Sequence, residues 1–146
     1  MVTSLKTQPL KRPPVYRNIH ISQLPSYRLP AAGWASILHR ISGAAMFLLL
    51  PFVVWMFDAS LTSEITYDQF RDIFANGAGF VPGWFVRLVS FGLMWAFLFH
   101  FCAGLRHLWM DATHDVSLRF GRISAITAMV VSTLVAFALG AKLFIF

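Results

Sequence analysis

Apolar positions in this chain fall into three long blocks separated by short polar stretches. The first block runs from about residue 31 to 57 and is uncharged from Ile41 to Phe57. The second covers about 84–110 and is uncharged from Leu88 to Leu105 apart from the titratable His100. The third covers about 122–144. Each block is long enough for the roughly 20 residues a helix needs to cross a hydrocarbon core. The pattern predicts an all-α membrane protein with three transmembrane helices in one domain, residues 31–146, behind an arm of residues 1–30. Pro51 lies inside the first block and predicts a kink in that helix without ending it, since membrane helices tolerate proline.

The stretches between the blocks carry their own signals. Residues 58–83 hold Asp58, Glu64, Asp68 and Asp72 against a single Arg71, and Thr66–Phe74 has the spacing of a short amphipathic helix. Asn76-Gly77, Gly79 and Pro82-Gly83 then supply turn chemistry. A loop is expected over about 111–121, with Asp111, His114, Asp115 and Arg119. The third block has a small residue at every fourth position, Ser124, Ala128, Ser132, Ala136 and Gly140. That row either admits a close helix neighbour or is simply part of a lipid-facing surface.

Composition sharpens the membrane assignment. The chain is 58% hydrophobic and 12% charged, against about 25% charged in ordinary soluble domains. The net charge of +6 reads as a topology signal rather than as a nucleic-acid footprint. Lys6, Lys11, Arg12, Arg17 and Arg28 face no acidic residue in the arm, which is also broken by five prolines. The arm has no apolar run for a secretory signal, and its prolines oppose the amphipathic helix of a mitochondrial presequence. An extended arm docked on a partner is the preferred reading over simple disorder. The basic arm places the N-terminus on the cytoplasmic side, the acidic connection across the membrane, and the C-terminus outside. Cys102 is the single cysteine, so neither an internal disulfide nor a CxxCH attachment of haem is available.

Two polar stripes fall inside the apolar blocks. His100, Gly104, His107 and Asp111 share one face of the second helix, and Arg106 points elsewhere. Ser36, His39, Arg40 and Gly43 share one face of the first. With both helices oriented as above, the clusters meet in the inner leaflet. His100 lies roughly 16 Å deeper than Asp111, near mid-membrane. A histidine at that depth faces a partner, a cavity or a cofactor. It suits an axial haem ligand, a hydrogen bond to a neighbouring helix, or a proton relay, and spacing does not choose among them. Gly104 leaves room where a porphyrin face could lie. His39 and His107 are expected too near the inner face to supply a second axial ligand, so a haem on His100 would take that ligand from another subunit. Arg106 and His107 could donate to haem propionates, or Arg106 could snorkel to headgroups. Ser36 and Arg40 could donate to quinone carbonyls and offset negative charge on a reduced quinone, or Arg40 could only anchor the helix. For Asp111, pairing with Arg106 or another basic group is preferred over proton relay.

At these stripes the chain resembles a known family. Ser36 to Gly43 (SILHRISG) is similar to the S-I-x-H-R-x-[ST]-G signature of the cytochrome b556 membrane-anchor subunits of succinate dehydrogenase, respiratory complex II. His100 to Asp111 (HFCAGLRHLWMD) resembles the second signature, H-x-x-x-G-x-R-H-[LM]-x-x-D. Arg12-Pro13 and Tyr27-Arg28-Leu29-Pro30 resemble the family's opening segment, whereas Val15–Ser26 lacks the common S-P-H-L wording. The likeness covers about residues 12–146. It implies half of a haem-binding helical bundle completed by a second small anchor subunit, with His100 as this chain's ligand to the iron of haem b. It implies His39, Arg40, Arg106 and His107 around the propionates, and Ser36 and Arg40 at a ubiquinone site near the inner face. It implies no catalytic residue here: succinate would be oxidised on a flavoprotein subunit carrying FAD, with electrons passing through an iron–sulfur subunit. The implied location is the bacterial inner membrane, a mitochondrial inner membrane being the weaker reading. Two other readings fit the sequence less well. A haem b subunit of a hydrogenase or formate dehydrogenase generally needs more ligating histidines at depth, and a non-redox membrane protein would use the basic stripe for anionic lipid.

Overall fold

The computed structural model describes residues 20–145. The residues of the arm up to 19, among them Lys6, Lys11, Arg12 and Arg17, lie outside the described residues. A short 3-10 turn at Ile21–Ser26 leads to α1, Ala31–Leu48. The carbonyl of Pro30 accepts the first helical bonds, from the N–H groups of Gly33 (2.9 Å) and Trp34 (3.2 Å).

Pro51 does more than kink the first block. The helix stops at Leu48, Leu49 takes φ −94° and ψ 4°, and α2 resumes over Leu50–Leu61 at 54° to α1. The reason is local. Pro51 has no N–H for the ladder and its ring collides with the carbonyl one turn back, so it is tolerated only in a new first turn. The two arms together are long and apolar enough for one bent span.

The amphipathic stretch after it forms α3, Glu64–Ala75, opened by a capping box in which Ser63 Oγ accepts from the Thr66 N–H and Thr66 Oγ1 accepts from the Ser63 N–H. The turn residues then build a small antiparallel hairpin, β1 (Gly77–Ala78) on β2 (Val81–Pro82). Gly77 at φ 100° and Gly79 at φ 57° take the conformations that a side chain would resist. The predicted loop thus contains secondary structure that periodicity did not reveal.

The second and third blocks become α4, Gly83–Thr113, and α5, Leu118–Ile145, both long and apolar enough to span a membrane. α4 is about 46 Å long, so it overshoots a hydrocarbon core of about 30 Å. The connecting loop is shorter than expected. His114 closes α4 in the left-handed region at φ 55°, and Asp115 accepts the Ser117 N–H at 3.0 Å.

α4 is the central element, with α1 and α5 packed on it and on each other. The contact is close because small side chains face each other. Ala35 of α1, Ala103 of α4 and Ala125 of α5 are buried around the fully enclosed Phe99. Trp95 stacks on Phe99 with centroids 5.4 Å apart and donates Nε1–H to Thr133 Oγ1 at 3.1 Å. The row on α5 does the work expected of it: Ala128, Ser132 and Ala136 are buried, and Gly140 lies directly against the ring of Phe91. Outward faces remain apolar, as in Leu134 and Phe137, which suits a surface that meets lipid or another membrane subunit.

Candidate functional site

The site is built where α1 and α4 cross. Ala35 and Ala103 meet in the core, and one further turn along each helix brings His39 to His100. Their rings stack with centroids 4.1 Å apart and planes 29° apart, and His107 follows at 5.4 Å from His39. His39 therefore does not sit well above His100, which corrects the depth expected from counting residues. The count failed because α4 continues past the level at which α1 begins, so equal distances from the two helix ends are not equal depths.

The His100 ring is fixed by three groups of α1. Its Nδ1 lies 3.0 Å from the His39 carbonyl oxygen and 3.2 Å from Ser42 Oγ. Ser42 donates its own proton to that same carbonyl at 2.9 Å. A carbonyl only accepts, so Nδ1 carries an imidazole proton, and in the neutral ring Nε2 is then the nitrogen with the lone pair. The third group is Gly43. A Cβ there would stand 2.9 Å from His100 Cε1 and 3.3 Å from Nδ1, inside ordinary contact. Gly43 is thus the space in which the ring lies. Nε2 makes no hydrogen bond among the described residues, and a Cβ placed at Gly104, one turn on, would meet nothing within 4 Å.

This donor set fits an axial haem ligand. An imidazole that binds a metal through one nitrogen commonly donates the other N–H to a carbonyl, which sets the tautomer and raises basicity. His39 is a different case. A metal ion shared by two imidazoles would stand about 2 Å from each nitrogen, which would put ring centroids on opposite sides of it roughly 6 Å apart. Face-to-face rings at 4.1 Å leave no such gap. Among the described residues no three His, Cys, Asp or Glu side chains converge on a free metal ion. His39 Nε2 is buried without a hydrogen-bond partner among the described residues, so the cluster has a polar atom that something outside this chain could satisfy.

The other expected residues divide. Ser36 is half-buried and Arg40 exposed, one turn apart on the α1 face that carries His39. Arg106 turns away from the histidines: Nε donates to Ser124 Oγ at 2.9 Å and Nη2 to the Gly121 carbonyl at 3.2 Å. It fastens α4 to α5 and does not pair with Asp111, which is exposed. The pairing expected for Asp111 is therefore not found with Arg106, because α5 offers that guanidinium nearer and less hydrated acceptors. Sequence reasoning gave no role to Ser42 and none to Gly43 beyond its place on the stripe. The signal was available, since both lie in the SILHRISG segment, three and four residues after His39.

The fold and cluster define a helical integral-membrane protein that presents a tethered histidine between two helices. Residues 12–140 match the family described as succinate dehydrogenase/fumarate reductase transmembrane subunit. Similar proteins include the succinate dehydrogenase cytochrome b556 subunit of Coxiella burnetii, 34% identical over 109 residues, 75% of this chain and 82% of that protein. The subunit of the same name from Paracoccus denitrificans is 35% identical over 92 residues, 63% of this chain and 65% of the other. The succinate dehydrogenase cytochrome b560 subunit of Porphyra purpurea is 29% identical over 96 residues, 62% and 69% of the two chains. The chain belongs to the succinate dehydrogenase/fumarate reductase transmembrane subunit family.

Proposed function

We propose that this chain is the membrane-anchor cytochrome b subunit of a succinate:quinone oxidoreductase. It supplies one axial ligand to a haem b and one wall of a ubiquinone site. Succinate is oxidised on a flavoprotein partner, and electrons arrive through an iron–sulfur partner. The observation that carries the reading is the state of His100, whose proton is held at Nδ1 by the His39 carbonyl and Ser42 while Nε2 stays free beside the open Gly104. A haem held by His100 would supply a one-electron carrier. Because His39 stacks on His100, the second axial ligand comes from a second small anchor subunit.

His39 and His107 extend the cluster along α1 and α4, and the unpartnered His39 Nε2 suits a propionate oxygen. Arg106 uses two of its five N–H donors on α5, which leaves others for a propionate. Ser36 and Arg40 share the histidine-bearing face of α1, where a hydroxyl and a guanidinium can donate to quinone carbonyls. The basic arm stays on the cytoplasmic side of a bacterial inner membrane. Ser36→Ala and Arg40→Ala, made in the intact complex, should lower succinate–quinone reductase activity and leave succinate oxidation by an artificial acceptor unchanged. Loss of both activities together would mean failed assembly and would remove the support for a quinone site at these residues.

A further inference from the structure

At the end of the bundle that carries α3 and the hairpin, a cavity of about 620 Å³ opens among α2, α3, α4 and α5. Its lining includes three cations from three different helices: Arg71 of α3, Arg87 of α4 and Lys142 of α5. Its walls are apolar, with Phe70, Phe74 and Leu139 among them. A second cavity of about 380 Å³ shares Met56, Ser90 and Met94 with the first and continues to Met46, Leu50 and Phe97. No acidic side chain lines either one. The cause is the break at Leu49. α2 bends away by 54° and, among the described residues, makes no close backbone approach to α4. Ser90 Oγ of α4 reaches across to α2, 4.0 Å from Met56 Sδ.

We propose that this groove is a binding site for an anionic phospholipid of the surrounding membrane. Arg87 lies near the start of α4 and Lys142 near the end of α5, where the ends of two spans approach the headgroups, and three cations lining one cavity suit a phosphate-bearing headgroup. From Arg87 to Phe97 the groove runs about 15 Å along α4, half of a hydrocarbon core of about 30 Å. That is the reach of one acyl chain within one leaflet. A ubiquinone ring is neutral and gives no reason for three cations. The three polar groups are not equivalent. Arg87 already donates Nε–H to the Phe74 carbonyl at 2.6 Å and Nη2–H to the Ala75 carbonyl at 3.3 Å, so it holds the end of α3 on α4. Arg71 is an exposed side chain, as is Lys142.

The test uses the intact complex, stripped of lipid in detergent and titrated with phosphatidylglycerol or phosphatidylcholine under native mass spectrometry. Phosphatidylglycerol should bind with clear preference. The double variant Arg71→Gln/Lys142→Gln should weaken it about 25-fold, on a scale of about 5-fold per removed cation, with Arg87 kept because it supports the fold. Val53→Trp, which places a ring in the lower groove while leaving every cation, should also lower binding. Equal binding of the two lipids, or unchanged binding in both variants, would overturn the site. Displacement of the lipid by ubiquinone at equal concentration would overturn it in favour of a quinone pocket. The outcome does not depend on the haem assignment.

Discussion

Gly43→Ala puts a single methyl group where the structure leaves no room for one. The new Cβ would stand 2.9 Å from His100 Cε1, whereas carbon atoms rest at about 3.5–4.0 Å. The ring must retreat by roughly 0.6 Å, and overpacking of this kind costs about 1–3 kcal/mol. The same retreat stretches hydrogen bonds now at 3.0 and 3.2 Å past useful length. A ligand that loses its Nδ1 acceptors is less basic and favours the reduced iron. One such neutral bond contributes about 0.5–1.5 kcal/mol. With both bonds lost, and at about 59 mV per tenfold for a one-electron couple, the haem potential should rise on the order of 80 mV, with lower haem content in the purified complex. Ser42→Ala removes one of the two acceptors without crowding and should give a smaller rise with normal haem content. The assay is a redox titration of the purified complex with haem quantified alongside. An unchanged potential together with full haem content in Gly43→Ala would show that the His100 ring does not lie over Gly43.

Three further outcomes are expected. Arg106→Ala removes two half-buried hydrogen bonds between α4 and α5 and should destabilise the assembled complex by about 1–3 kcal/mol; Arg106→Lys should not restore it, since an ammonium lacks the planar fork, and thermal inactivation of membranes reads both. Gly140→Ala collides with Phe91 and should lower complex yield, with recovery when Phe91→Leu is added. Asp115 has its pKa held below the ordinary carboxylate value by the Ser117 N–H and then by the Ser117 side chain. Its support of the α5 start should therefore be fully present above the ordinary carboxylate range and fade as pH falls through the lowered value. Amide exchange at Ser117 should quicken there in the wild type, and Asp115→Asn should remove that pH dependence.

The parts of the fold that were legible are those fixed by local pattern. The presence of α4 and α5, the amphipathic α3 and the fourth-residue row on α5 follow from spacing or from side-chain size, although α4 and α5 both run a few residues further than the apolar blocks do. The break at Leu49 was half legible: Pro51 marked the place, but whether a span kinks or restarts depends on how neighbours hold the freed carbonyls. Relative depth was not legible. His39 and His100 meet because α1 and α4 are staggered, and that stagger is set by Ala35 and Ala103 packing across the crossing, a tertiary contact that no periodicity states. Arg106 was expected to point away from the stripe and does, yet its partners on α5 needed the third helix in place. The hairpin at Gly77–Pro82 was hidden because two-residue strands carry no period.

The central claim is that His100 holds iron through a free Nε2. Its most direct measurement is the reduced-minus-oxidised spectrum of the purified complex carrying His100→Ala, with assembly checked by the presence of every subunit. The account predicts that the b-type haem signal is lost or displaced. A normal signal at full haem content would contradict it.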